Sequence, residues 1–200
     1  LELVRQFKEL IPFLTQHTGR KFDIDRLRHA CEMANKATEN MWEWMEWRKH
    51  VPVLQPSKLC QMGLYMSLLS SGCEDGLIWS EGLKREAKEK ALRNKPTINE
   101  RVRAIWYQDA VAWDIMIYDW MEKELGLTIP MDLFGYFARD QLIDTTDLDT
   151  MLYGLARKNI LLEPMSRQFM YNVEFFIQDF MTMVEEFQAD CGIYAGHLGC

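Results

Sequence analysis

The chain has 200 residues, 48% hydrophobic and 26% charged, a composition that fits one large or two small globular cores and excludes a disordered polypeptide. Its 23 basic and 30 acidic residues are mixed throughout and leave a net charge of -7, so there is no basic stripe of the kind a nucleic-acid backbone requires. No apolar run reaches the roughly 18 to 20 residues of a membrane span, and no secretory signal opens the chain, which predicts a cytoplasmic protein without a membrane partner.

The first residues, Leu1, Val4, Phe7, Leu10, Ile11 and Leu14, follow the spacing of an amphipathic helix that closes at His17-Thr18-Gly19. No capping residue precedes it, and the other end of the chain stops soon after a strand, so the sequence is expected to be an internal piece of a longer protein. Asp23 starts a second helix through Leu27, Cys31, Ala34, Thr38, Met41, Met45 and Arg48, ended by Val51-Pro52. Trp42, Trp44 and Trp47 ring that helix, which predicts packing between two layers. A third helix is expected over 57–69 and a fourth over 77–93, the latter carrying a charged run read as a solvated face.

At Lys95-Pro96 the pattern changes. Val102 to Trp106 reads as a strand, followed by a helix from Ala112 to Glu124 that Gly126 ends. Thr128-Ile129-Pro130-Met131 reads as a weaker strand, 147–158 and 165–187 as helices, and 190–195 as a last, buried strand. Strands alternating with helices at these spacings predict a parallel sheet with right-handed crossovers. The predicted class is thus α/β: a helical N-terminal half, residues 1–95, followed by a partial Rossmann-like or flavodoxin-like parallel-sheet domain, residues 96–200.

Ligands of such sheets bind beyond the carboxyl ends of the strands. That rule selects Tyr107 to Trp113, after the first strand, and Gly196 to Cys200, after the last. In the first segment Trp106, Tyr107, Gln108 and Trp113 are candidate substrate-binding residues, with Asp109 a candidate to accept or orient a proton. Trp106 reads equally as core and Asp109 as a helix cap. In the second, Ala195-Gly196-His197-Leu198-Gly199-Cys200 combines two glycines with a histidine and a cysteine that can face a ligand. Taken singly, His197 also reads as a hydrogen-bonded loop residue and Cys200 as an inert buried thiol. The chain has no GxxxxGK[ST] loop and no GxGxxG fingerprint, so neither ATP handling nor nicotinamide binding is predicted for it. Its five cysteines form no CxxC pair, their odd number argues against a disulfide framework, and its 13 methionines read as core filler.

Three stretches together carry a family resemblance. LELVRQFKELIPFLTQHTGRKFDIDRLRHACEMAN, RVRAIWYQDAVAW and DCGIYAGHLGC, in this order, resemble segments of the 2-hydroxyacyl-CoA dehydratase and benzoyl-CoA reductase subunits. The resemblance implies a heterodimer with a homologous second subunit, each subunit holding a [4Fe-4S] cluster on three cysteines, of which Cys200 would be the one present here and the ligand set therefore incomplete. It implies an acyl-CoA substrate, an ATP-dependent activator protein that supplies one electron, and a ketyl radical from which hydroxide is expelled. Asp109 and His197 would then be the catalytic candidates. Cys31, Cys60, Cys73 and Cys191 do not sit where the family's ligands would. A benzoyl-CoA reductase subunit, an electron-relay subunit or a non-catalytic interaction module are the alternatives.

Overall fold

The structure, a computed structural model, describes residues 2–65, 69–94, 98–108, 114–162 and 173–196. Helix α1 spans Glu2–Thr18 and α2 spans Ile24–Arg48. The α2 terminus is fixed by Asp23, whose carboxylate accepts from the N–H groups of Asp25 at 3.0 Å and Arg26 at 3.1 Å. Those two bonds satisfy donors that the first helical turn leaves free. Helices α3, Leu59–Tyr65, and α4, Glu74–Leu92, complete the N-terminal half. The third helix starts two residues later than expected, and residues 66–68 of it lie outside the described residues; the fourth starts three residues sooner than its apolar pattern suggests.

Strand β1, Val102–Gln108, is followed by the short helix α5, Met116–Trp120, which runs on into a π-helical turn over Met121–Leu125. Next come β2, Leu127–Thr128, and α6, Leu148–Arg157, whose start is held by a reciprocal pair of bonds between Asp147 and Thr150. Helix α7, Val173–Glu186, leads into β3, Cys191–Ala195. The upstream part of the expected 165–187 helix, and residues 112 and 113 of the expected 112–124 helix, lie outside the described residues.

The sheet has the order β2-β1-β3 with both pairings parallel, as the alternation of strands and helices predicts. Regular pairing of β2 with β1 stops after Arg103↔Thr128 and resumes as one bridge, Trp106↔Asp132. Pro130 lies in the gap, where the missing N–H interrupts a ladder. The expected strand Thr128–Met131 is therefore shifted and broken rather than continuous.

Alternate residues of β1 serve opposite faces. Ala104 and Trp106 pack with Tyr118, Met121 and Ile129 on the α5 side. Ile105 and Tyr107 belong to the larger core, where Met41, Trp44 and Met45 of α2 meet Leu83 and Ala87 of α4 and Met183 of α7. Residues of both halves of the chain thus share this core. Its Trp44 is completely buried, and the indole N–H donates to Gln55 Oε1 at 2.7 Å. Between α1 and α6 lies an apolar groove of about 370 Å³ lined by Leu10, Leu14, Phe22, Leu152 and Leu155.

The last strand departs from the expected burial. Cys191 is exposed, Ile193 is half-buried, and Tyr194 keeps 65% of its surface in solvent. Among the described residues β3 is an outer strand, paired only with β1, so its far edge lacks a neighbour. Phe180 of α7 covers it at Gly192, where an added Cβ would lie 2.1 Å from the ring. Only a glycine accepts that approach.

Candidate functional site

The carboxyl ends of β1 and β3 lie side by side, because the register runs without slip from Ala104↔Cys191 to Gln108↔Ala195. Two loops predicted to carry chemistry therefore leave the sheet from neighbouring strands at the same level. Asp109, Trp113, His197 and Cys200 themselves lie outside the described residues. Gln108 is the last residue of β1, its backbone opposite Ala195.

Trp106 and Tyr107 are both described, and the structure does not bring them together. Trp106 is 6% exposed and packs against the Tyr118 ring at 5.5 Å on the α5 side. Tyr107 is fully buried on the other side, its hydroxyl donating to Phe176 O at 3.1 Å and its ring meeting Phe176 and Phe180 edge-on at 4.6 and 5.1 Å. Both hold the end of β1 rigidly, so the loop that follows starts from a fixed support.

The amino end of β1 is held by charge. Arg103 Nε donates to Glu100 Oε1 at 2.9 Å, with both side chains almost wholly buried, and its guanidinium also donates to Phe187 O at 3.0 Å and to His50 O. Glu100 in turn accepts from Val53 N at 2.8 Å and from the Thr128 hydroxyl at 2.9 Å. This lock ties α2, β1, β2 and the end of α7 together.

A second polar cluster lies beneath the carboxyl edge. Arg48 is 1% exposed, and the five N–H donors of its guanidinium meet Pro130 O at 2.8 Å, Ile129 O at 2.7 Å, Gln55 O at 2.7 Å, Pro56 O at 3.2 Å and Cys60 Sγ at 3.1 Å. It thereby clamps the end of α2 to the interrupted strand β2. Burial pushes the Cys60 thiol up to about 12, while the Arg48 charge pulls in the opposite direction. Burial likewise raises the Tyr118 hydroxyl, which accepts from Gln61 Nε2. Glu122, on the turn after α5, accepts from Ser57 N at 2.5 Å.

Asp132, which the sequence does not single out, sits at the centre of this cluster. It is 1% exposed and is bridged to Trp106 of β1. Its Oδ1 accepts from Gly135 N at 2.6 Å, whereas Oδ2 has no hydrogen-bond partner among the described residues. Burial pushes this carboxyl up to about 7, against the opposing pull of the Gly135 N–H, the Arg48 charge and the Phe134 N–H. The rule that selects strand ends applies to β2 as well, and it would have found Asp132. The strand expected over Thr128–Met131 ends immediately before Asp132, whereas the candidates chosen from sequence follow only the first and last strands.

A helical N-terminal half followed by a three-stranded parallel sheet defines an α/β protein. The family model described as 2-hydroxyglutaryl-CoA dehydratase, D-component, matches residues 2–200, and the chain belongs to that family. It is thus a component of a 2-hydroxyacyl-CoA dehydratase, a lyase assembled from several components. Comparison with curated proteins gives no match. Among the described residues no helix is long and apolar enough to cross a membrane.

Proposed function

We propose that the carboxyl edge formed by β1 and β3 is the substrate site of a dehydratase subunit acting on 2-hydroxyacyl-CoA thioesters. The observation that carries this is the in-register pair Gln108↔Ala195, which starts the Asp109 loop and the Gly196 loop next to each other. Asp109 and His197 are the proposed proton-handling residues, with Gln108 and Trp113 proposed beside the acyl group and Trp106 and Tyr107 supporting the strand end from within the core. Residues 96–200 are proposed as the sheet domain that presents this edge, and 1–95 as the helical part that covers it.

The family resemblance adds an iron–sulfur cluster with Cys200 as one ligand, a homologous second subunit and an ATP-dependent activator. When bound, such a cluster supplies the single electron for reduction of the thioester. The described residues do not by themselves form its cage: among them no group of three or more His, Cys, Asp or Glu side chains is placed to hold a metal. Cys31 and Cys60 are buried in separate core clusters, while Cys73 and Cys191 are exposed. The cluster assignment therefore rests on Cys200 and on residues contributed from elsewhere.

The test is anaerobic purification of the full-length subunit with its partner, followed by iron and sulfide analysis, EPR and product analysis, with Cys200→Ser alongside. Lower iron content, an altered spectrum and loss of water elimination in the variant are expected. Unchanged iron and spectrum remove Cys200 from the cluster, and ring reduction instead of water loss moves the subunit to the reductase reaction.

A further inference from the structure

We propose that Asp132 is a proton-holding residue of the carboxyl edge, anchored through Oδ1 and carrying an exchangeable proton on Oδ2. It acts as a positioning residue for the loop after β2. The proposal rests on the reading of that edge as the dehydratase site, and it adds a residue assigned neither by the family match nor by the sequence motifs.

The geometry makes the two oxygens unequal. Oδ1 is fixed by the Gly135 N–H at 2.6 Å, which holds the carboxyl in one orientation against its own loop. Oδ2 is buried and has no donor among the described residues. A carboxylate oxygen enclosed without a donor pays the full cost of lost hydration, and a proton on that oxygen removes the charge. The surrounding side chains come from three elements. Arg48 of α2 supplies a positive charge, Cys60 of α3 a neutral thiol and Tyr118 of α5 a hydroxyl; Gln61 donates to that hydroxyl, and Glu122 acts on Cys60. Of these side chains Arg48 favours ionisation, as do the Gly135 and Phe134 N–H groups, but the Arg48 N–H groups are already engaged by backbone carbonyls and the Cys60 sulfur.

Two charge states are therefore accessible within one fixed frame. Release breaks the Oδ2–H bond, passes the proton to a ligand or solvent base, and leaves a carboxylate in the field of Arg48. Uptake reverses this, and no electrons move. Because Asp132 is bridged to Trp106 and the Leu133 N–H donates to Trp106 O at 3.2 Å, the charge state acts directly on the backbone that aligns the end of β1.

The test compares wild type with Asp132→Asn, a neutral isostere, in the full chain assembled with its partner. The folded carboxyl lies above its unfolded value, so its stabilising contribution is complete in acid and is lost as pH rises from about 4 through 7. The unfolding constant of wild type relative to the variant should thus rise up to about tenfold per pH unit across that window. Turnover by wild type should show a limb near neutrality that Asp132→Asn lacks. Parallel pH dependences of stability, or a slope of opposite sign, overturn the proposal, as does an unchanged pH profile of turnover. If the variant fails to fold, carboxyl 13C NMR titration of wild type decides: a protonated signal persisting to neutral pH supports the proposal, and an ionised one at pH 5 overturns it. Absence of any dehydration by wild type overturns the functional reading instead, while the titration still decides whether Asp132 holds the proton.

Discussion

Replacing Arg48 with methionine tests whether the buried guanidinium clamps α2 to β2. Methionine approximates the length and volume of the stem, so the change removes mainly the charge and its five hydrogen bonds. Pro56 O keeps the Leu59 N–H at 3.2 Å, and Pro130 O keeps the Cys60 thiol at 3.3 Å. Gln55 O and Ile129 O lose their strong donors, each at 2.7 Å in the native protein. Two buried carbonyls left short of a donor cost about 1–3 kcal/mol each. Relief of the guanidinium's desolvation offsets part of this, so the expected net loss is about 2–4 kcal/mol. Lysine at the same position retains the charge but offers only three donors from a single nitrogen, and it should lose about as much. Urea unfolding monitored by tryptophan fluorescence measures the change, with the m-value checking that the denatured state is unaltered. A loss below about 1 kcal/mol for both variants refutes the clamp.

Gly192→Ala places a methyl group 2.1 Å from the Phe180 ring, so the aromatic must shift or the strand must move away from α7; about 1–3 kcal/mol of stability should be lost, measured by thermal or urea denaturation. Thiol labelling of the native protein at pH 8 should modify the exposed Cys73 and Cys191 and spare Cys60, whose thiol is buried and pushed up to about 12; peptide mass mapping reads the pattern, and rapid Cys60 modification without unfolding contradicts the packing.

The elements that sequence locates best are those with local causes. Asp23 announces α2 because its carboxylate caps the adjacent N–H groups, and the apolar run at Val102 announces β1 because both of its faces are covered. The rule for strand termini selected the ends of β1 and β3, while their adjacency is a matter of sheet order that the structure supplies. What escaped has causes distant in sequence. Arg48 looks like an ordinary basic residue at a helix end, where it favours the dipole. Its burial is set by carbonyls at 129 and 130 that no local pattern announces. Asp132 follows the expected strand Thr128–Met131 directly, but its burial depends on residues of α2, α3 and α5 that lie far from it in sequence. The exposure of Tyr194 depends on which strand is outermost, a property of sheet order rather than of strand composition.

The pairing of β1 with β3 also sets the order of events during folding. The Asp190 carboxylate that receives Arg103 N lies 87 residues further along the chain. A contact of that span forms only after a large loop has closed, and such closures are slow compared with helix formation. The helical half and the β1–α5–β2 unit can associate first, while the carboxyl edge exists only once β3 has docked. Assembly of the edge is thereby expected to be a late step, and partly folded chains would lack the proposed substrate surface.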